Sequence, residues 1–262
     1  MESPVKVETM LFTLVDPNKG HEVAYNRWYE RDHFYGGCMI GPWLFAGGRF
    51  VATRRLKDLR FPSESPFAQP VDAGSYLAIY WMHEGHVDEH LDWAGKQVRR
   101  LYADGRGFAE RTHAHTGLYD LASVAYRDAD PVPLELALDH KYPGLAVTVL
   151  EPVEGATAAG VQEGPGRTLL AAGSPFAICA SFTVRHSAAT GTANVPMALG
   201  TDGGAQDRIL QLWFADSPVA DVWPEVAAYA AAVADAGLGV VTFAAPFQPT
   251  VVGTDRYTDE LW

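Results

Sequence analysis

Tyr25, Trp28, Tyr29, Asp32 and His33 fall at i, i+3, i+4, i+7 and i+8, a single stripe at helical period. Such a stripe faces whatever the helix packs on, so it sends two tyrosines and a histidine into the space between helix and strands. Histidine is the side chain whose proton moves near neutral pH, and next to a tyrosine it can serve as an acid or a base. The plainer alternative is that the rings fill core while His33 closes the helix end, where its cation suits the dipole.

Two further groups could do chemistry. Arg111, His113 and His115 alternate, which on a strand puts all three on one face. Side chains of that kind are too costly to bury without partners, so they line a wet cavity, hold an anionic group or lie at an open edge. Neighbouring histidines also hold each other's protonation down, which suits a base. The other group is His83, His86 and His90 with Glu84 and Glu89. His86-x-x-Glu89-His90 matches the inverted zincin string. However, Val87, Leu91, Ala94, Val98 and Leu101 carry the apolar face, turning His86 and Glu89 to solvent, and no metal is expected. His83 continues the Ile79 and Trp81 side of its strand towards the pocket. A nucleophile elbow, a Walker A loop and a Cys-x-x-Cys pair are all missing. Gly160–Gly166 follows no strand-to-helix turn suited to a dinucleotide. Gly47-Gly48 reads as a bulge or a close backbone approach, and Cys38 and Cys179 as buried small residues.

The elements that would position these groups are written twice. A shift of 132 positions lays Trp81 on Trp213, Val87 on Val219 and Gly105 on Gly237. A second shift, of 126, lays Leu44–Ala52 on Leu170–Ile178. Each copy reads strand, helix, strand, strand, helix, strand, the ferredoxin-like unit. The first has strands near Val5–Val15, Leu44–Arg54, Tyr76–His83 and Phe108–Tyr119, with helices near His21–Tyr35 and His86–Ala103. The second has strands near Leu145–Glu151, Phe176–Arg185, Arg208–Ala215 and Gly239–Val251. The expected fold is α+β: tandem ferredoxin-like repeats with antiparallel sheets packed face to face. The divisions are 1–126, a proline-bearing linker 127–144, and 145–262. Lys57–Ser75 and His186–Gln206 are long loops, lids or disordered. Eight of the nine histidines lie at or before His140, and Glu154–Gly166, opposite the first helix, holds neither histidine nor aromatic residue. The first copy is therefore expected to carry the site and the second to support it.

Tyr25-x-x-Trp28-Tyr29-x-x-x-His33 after a first strand resembles the first helix of EthD-like members of the dimeric α+β barrel superfamily, over about the first 120 residues. The resemblance implies a pocket under that helix. It does not imply one reaction, because the superfamily spans cofactor-independent monooxygenases, cyclases, isomerases, lyases and haem-binding branches.

The net charge of −12 argues against nucleic acid and anionic membrane partners. No apolar run reaches the roughly 20 residues that span a bilayer. The opening residues lack the pattern of a signal peptide, so a cytoplasmic setting is expected. Together these features lead us to expect an enzyme without an organic cofactor, acting on a small hydrophobic, aromatic or polyketide-like substrate by lyase, cyclase or isomerase chemistry. His33 is the first candidate base, with Tyr29 and His113 as partners. Tyr25, Trp28, Trp81, His83, Arg111 and His115 would contact substrate. The alternatives are a monooxygenase of the same superfamily and a binding protein for haem or a hydrophobic metabolite; homodimer formation stays open.

Overall fold

Strands that are apolar at nearly every position need cover on both faces, and this chain supplies it by closing its strands into a barrel with helices outside. In the computed structural model, which describes residues 4–185 and 207–262, eight antiparallel strands close on themselves. They are β1 (Val7–Pro17), β2 (Leu44–Val51), β3 (Tyr76–His83), β4 (Arg111–Tyr126), β5 (Gly144–Pro152), β6 (Phe176–Val184), β7 (Ile209–Ala215) and β8 (Gly239–Pro249). Around the barrel the order is β1-β3-β2-β8-β5-β7-β6-β4. The first four strands thus lie in the order β4-β1-β3-β2 and the last four in the corresponding order β8-β5-β7-β6. The fold is a tandem of ferredoxin-like units, α+β, with the two sheets facing each other across a shared interior. Face-to-face packing is only part of the arrangement, because the sheets also pair along both edges. One seam is long, from Tyr119↔Val184 to Tyr126↔Ile178. The other consists of Phe50↔Pro249 and Val51↔Gln248. Expected loop His186–Gln206 lies outside the described residues.

Alternation along each strand divides the side chains between two layers. Phe12, Leu14, Ile79 and Trp81 join the interior cluster with Phe182 and Phe243, and Trp81 stacks on Phe182 at 5.7 Å between centroids. Val15, Tyr76, Ala78 and Tyr80 point outwards to the first helical layer. That layer is α1 (Glu22–Trp28), which passes without a break into a π-helical stretch (Tyr29–Met39). Beside it runs α3 (Val87–Ala103); α2 (Arg54–Lys57) is a single turn. On the second sheet the counterparts are α4 (Ala158–Glu163), α5 (Gly166–Leu169) and α6 (Trp223–Asp235). α4 is a short element, as the glycine-rich sequence predicts.

The ungapped match between the two copies holds at the helix ends but not through the strand. Gly105 and Gly237 both take the left-handed conformation, with φ of 72° and 66°, that ends a helix. Trp81 and Trp213, aligned by the same shift, face opposite layers: Trp213 packs on Tyr229 of α6 at 4.9 Å. A one-residue slip in a strand reverses every side chain, and strands covered on both faces carry no alternation to reveal it.

Two stretches outside the regular elements tie the layers together. Lys57–Ser75 is ordered and tied down. Arg60, buried within it, donates to the carbonyls of Val71, Ala73 and Gly74, and Phe61 bridges Ala244 of β8. Residues 250–262 run back from the second sheet over α1. There the Thr254 carbonyl accepts from Asn26, Asp255 pairs with Arg27, and the Gly253 amide donates to Glu30. Leu261 is fully buried in the layer below α1.

Candidate active site

The π-helical stretch sets the position of His33. Its backbone bonds run from i to i+5, as at Ile40 N to Tyr35 O (3.2 Å), so the turn is wider than an α turn and residues four and five apart share a face. His33 consequently lies on two rings at once. It stacks on Trp28 at 5.1 Å with 21° between planes and meets the edge of Tyr29 at 4.9 Å. Gly37 lies beside it: a Cβ there would sit in van der Waals contact with His33 Nδ1, at 3.4 Å. Neither ring nitrogen of His33 has a hydrogen-bond partner among the described residues. Burial, reinforced by the positive fields of Arg111, His113 and Arg49, drives its pKa down to about 3. His33 is neutral at physiological pH.

Across from it stands β4. The expected alternation of Arg111, His113 and His115 is broken by a β-bulge, where β1 pairs Leu14 with His115 but Val15 with His113. The extra residue, Ala114, puts the two histidines on different sides. His115 enters the barrel, stacks on Phe67 at 3.9 Å and bonds the Tyr119 hydroxyl through Nε2 at 2.6 Å. Arg111 and His113 turn to the helical layer. Arg111 Nε donates to His113 Nε2 (3.3 Å), so the neutral imidazole carries its hydrogen on Nδ1 and donates it to Thr116 Oγ1 (2.8 Å). Thr116 is held in turn by Thr13 at 2.8 Å. Burial first, and the guanidinium second, bring the His113 pKa to about 4. The Arg111 guanidinium also donates to the Tyr102 hydroxyl (2.8 Å) and lies over the Trp28 ring at 4.9 Å.

The floor of the layer is polar to an extent unusual for a buried surface. Arg49 of β2 reaches under α1, donates to Asn26 (3.0 Å) and Glu30 (3.2 Å), and packs its guanidinium over Tyr29 at 4.5 Å and Tyr76 at 5.3 Å. Its Nη2, together with the Tyr25 and Tyr76 hydroxyls, is buried without a partner among the described residues. Tyr29 and Tyr80 share a hydrogen bond of 3.0 Å. Burial holds both phenols well above their ordinary range and the neighbouring Cys38 thiol at about 12. These tyrosines can donate hydrogen bonds but do not ionise. Phe108 stacks on Trp28 at 5.3 Å and closes the wall. On the outer side Trp28, Asp32 and Phe108, with Arg27, Arg31 and Arg106, line a groove of about 680 Å³. Asp32, the fourth residue of the stripe, is held there by Arg106 Nε at 2.8 Å.

Tyr25, Trp28, Tyr29, His33, Arg111 and His113 are thus brought into one layer. Trp81, His83 and His115 are not. Trp81 and His115 are interior residues, and the half-exposed His83 lies at the strand end against Trp43 and His86. His86 stacks on Trp43 at 3.6 Å. His90 is buried rather than solvated and bonds the Pro42 carbonyl at 2.7 Å. No cluster of three or more metal-ligating side chains occurs among the described residues. Arg49, Tyr76 and Tyr80 were not expected in the site. The available signal was Arg49, a lone cation within the apolar run Leu44–Val51, which must find partners if it is buried.

No family model and no curated protein matches the sequence. Solved structures do match over its whole length. One is a candidate chlorite dismutase, with TM-score 0.53, 8% identity and coverage of 98% of this chain and 100% of that one. Another is an anthrone oxidase-like protein, with TM-score 0.50, 13% identity and coverage of 96% and 98%. The fold is the dimeric α+β barrel. At such identities the likeness extends to the barrel and not to its chemistry. No helix among the described residues is long and apolar enough to cross a membrane.

Proposed function

We propose that this α+β barrel is an EthD-like small-molecule enzyme that moves a proton on an apolar, aromatic or polyketide-like substrate without an organic cofactor, by lyase, cyclase or isomerase chemistry. The observation that carries the reading is His33: a neutral imidazole with no hydrogen-bond partner, set between Trp28 and Tyr29 and opposite Arg111. A lone pair held in that way can take a proton from a substrate carbon or hydroxyl next to a carbonyl. Tyr29 and Tyr25 offer hydroxyl donors to the substrate, and the stacked rings of Trp28 and Phe108 offer it an apolar wall. His113 has both nitrogens engaged, so it positions Arg111 rather than acting as the base.

Mass spectrometry under native conditions, on protein from its own host, is the route to the substrate, since a retained ligand identifies its class. With that substrate, His33→Ala lowers turnover about 10²- to 10⁴-fold and leaves the melting temperature nearly unchanged. Trp28→Ala instead costs roughly 3–5 kcal/mol of stability, as large aromatic truncations do. A fully active His33→Ala protein moves the site elsewhere. The second reading uses the same residues: a substrate deprotonated by His33 gives its electrons to molecular oxygen, which makes the chain a monooxygenase. Oxygen uptake that accompanies turnover decides for it. Among the site histidines only His33 has a nitrogen to offer an iron. A Soret band that vanishes in His33→Ala would replace both readings with haem binding.

A further inference from the structure

The helical layer carries positive charge without its counterpart. Most arginines of the described residues meet a carboxylate: Arg27 meets Asp255, Arg49 Glu30, Arg54 Asp58 and Asp72, Arg106 Asp32, Arg127 Asp128 and Asp216, and Arg185 Glu8 and Asp120. The buried Arg60 takes three backbone carbonyls instead. Arg111 meets neither. It is half-buried, with an imidazole, a phenol and an indole face around it. The imidazole accepts from Nε through a lone pair, which fixes the orientation of the fork without neutralising it. In a chain of net charge −12, a half-buried guanidinium that meets no carboxylate is a conspicuous exception. A second observation points the same way. The Arg49 Nη2 group and the Tyr25 hydroxyl are buried in the same layer without a partner among the described residues, and both are donors. A buried donor left unsatisfied costs about 1–3 kcal/mol, and an incoming acceptor recovers it.

We infer that the site takes its substrate as a planar aromatic oxyanion, a carboxylate or a phenolate, with the charged oxygen on the Arg111 fork and the ring against the edge of the stack that Trp28 forms with His33 and Phe108. This rests on the reading of the layer as a substrate site and adds the charge of the substrate to it. The chemistry is consistent internally. A base surrounded by cations is a poor proton acceptor in the empty site, because the imidazolium would add a further positive charge. An oxyanion beside Arg111 offsets that field, which comes second to burial in holding the His33 pKa down, and so raises the basicity of His33. The substrate would then complete the base that acts on it, and neutral analogues would bind weakly and fail to activate it.

Calorimetric titration of the full chain with naphthoate and with naphthamide tests the carboxylate form. Nitrophenol and nitroanisole test the phenolate form, with the visible absorbance of bound nitrophenol reporting its ionisation. At least one anion should bind ten- to a hundredfold more tightly than its neutral partner, about the strength of a charge-assisted hydrogen bond. Arg111→Gln should remove that preference while leaving the neutral ligand's affinity unchanged, and Arg111→Lys should restore part of it. If nitrophenol is the form preferred, its phenolate should appear at lower pH when bound. Equal binding of anion and neutral analogue, no binding of either anion, or an equal loss of both in Arg111→Gln overturns the inference. Because these are binding measurements, their failure leaves the His33 turnover test standing. A His33→Ala protein that keeps the anion preference but also keeps full turnover would sink the catalytic reading alone.

Discussion

At the scale of single residues, the layer holds two imidazoles that burial keeps neutral. His113 is neutral because burial, and after it the Arg111 guanidinium, disfavours its cation, while Arg111 and Thr116 fix its tautomer. His33 is neutral because it is enclosed by rings and cations. The folded pKa values, about 3 for His33 and about 4 for His113, lie below the ordinary histidine value of about 6.5. Between those limits the unfolded chain binds more protons than the folded one. Stability therefore climbs with pH through that window and is lost as the solution is acidified from about pH 6.5 towards pH 3. Thermal melts between pH 4 and pH 7 should show a shallower slope for His33→Phe than for the parent chain; parallel slopes would mean that His33 already titrates normally in the fold. Much of this was legible beforehand. Tyr25, Trp28 and Tyr29 of the stripe pack into the layer as their spacing requires, while Asp32 turns to the outer groove. What spacing could not reveal is which of Arg111, His113 and His115 belong together, because the residue that separates them is Ala114, and alanine is unremarkable in a strand.

At the scale of elements, two irregularities carry the geometry: the bulge in β4 and the π-helical continuation of α1. The sequence does mark the second, in Gly36-Gly37, but helical periodicity alone gives no reason to widen the turn there. Regular elements were read more easily. β3 begins and ends where its apolar run does, and α3 stops before Gly105. The Gly47-Gly48 pair proves to be a close approach: a side chain at Gly47 would come within 2.8 Å of Met39 Sδ and 2.9 Å of Phe34 Cζ. The π-helical stretch sits directly on that bare backbone. Gly47→Val should lift it off β2, costing about 1–3 kcal/mol as overpacking does. The near-ultraviolet circular dichroism of the aromatic layer should weaken while the far-ultraviolet spectrum holds. Unchanged spectra and melting temperature would mean that β2 and the helix move apart freely.

At the scale of the whole molecule, the two sheets carry different side chains on their outer faces. Described side chains with acid–base potential gather outside the first sheet. Outside the second, Gln211, Tyr229, Thr148 and Trp213 form a closed hydrogen-bonded set. That asymmetry favours a working first half and a supporting second half, and residues 250–262 are the most direct support. A chain ending at Pro249 should keep the barrel but loosen the layer above it. Hydrogen exchange should accelerate at the amides of 25–33, by an order of magnitude or more, with β5 and β7 unaffected. Equal protection in both chains would show that α1 holds itself in place.

The same segment also sets an order of events. Asn26 bonds to Thr254 across a separation of 228 residues, and ribosomes deliver sequence in one direction at roughly 5–20 residues per second. The helix that carries the aromatic stripe leaves the exit tunnel many seconds before the segment that fastens it. Throughout that interval Tyr25, Trp28 and Tyr29 have no finished surface to rest on and are candidates for chaperone capture. A nascent chain interrupted between Thr116 and Thr254 would carry every proposed catalytic side chain and still lack the clasp that holds them in register, so that activity would certify synthesis through the last strand of the barrel.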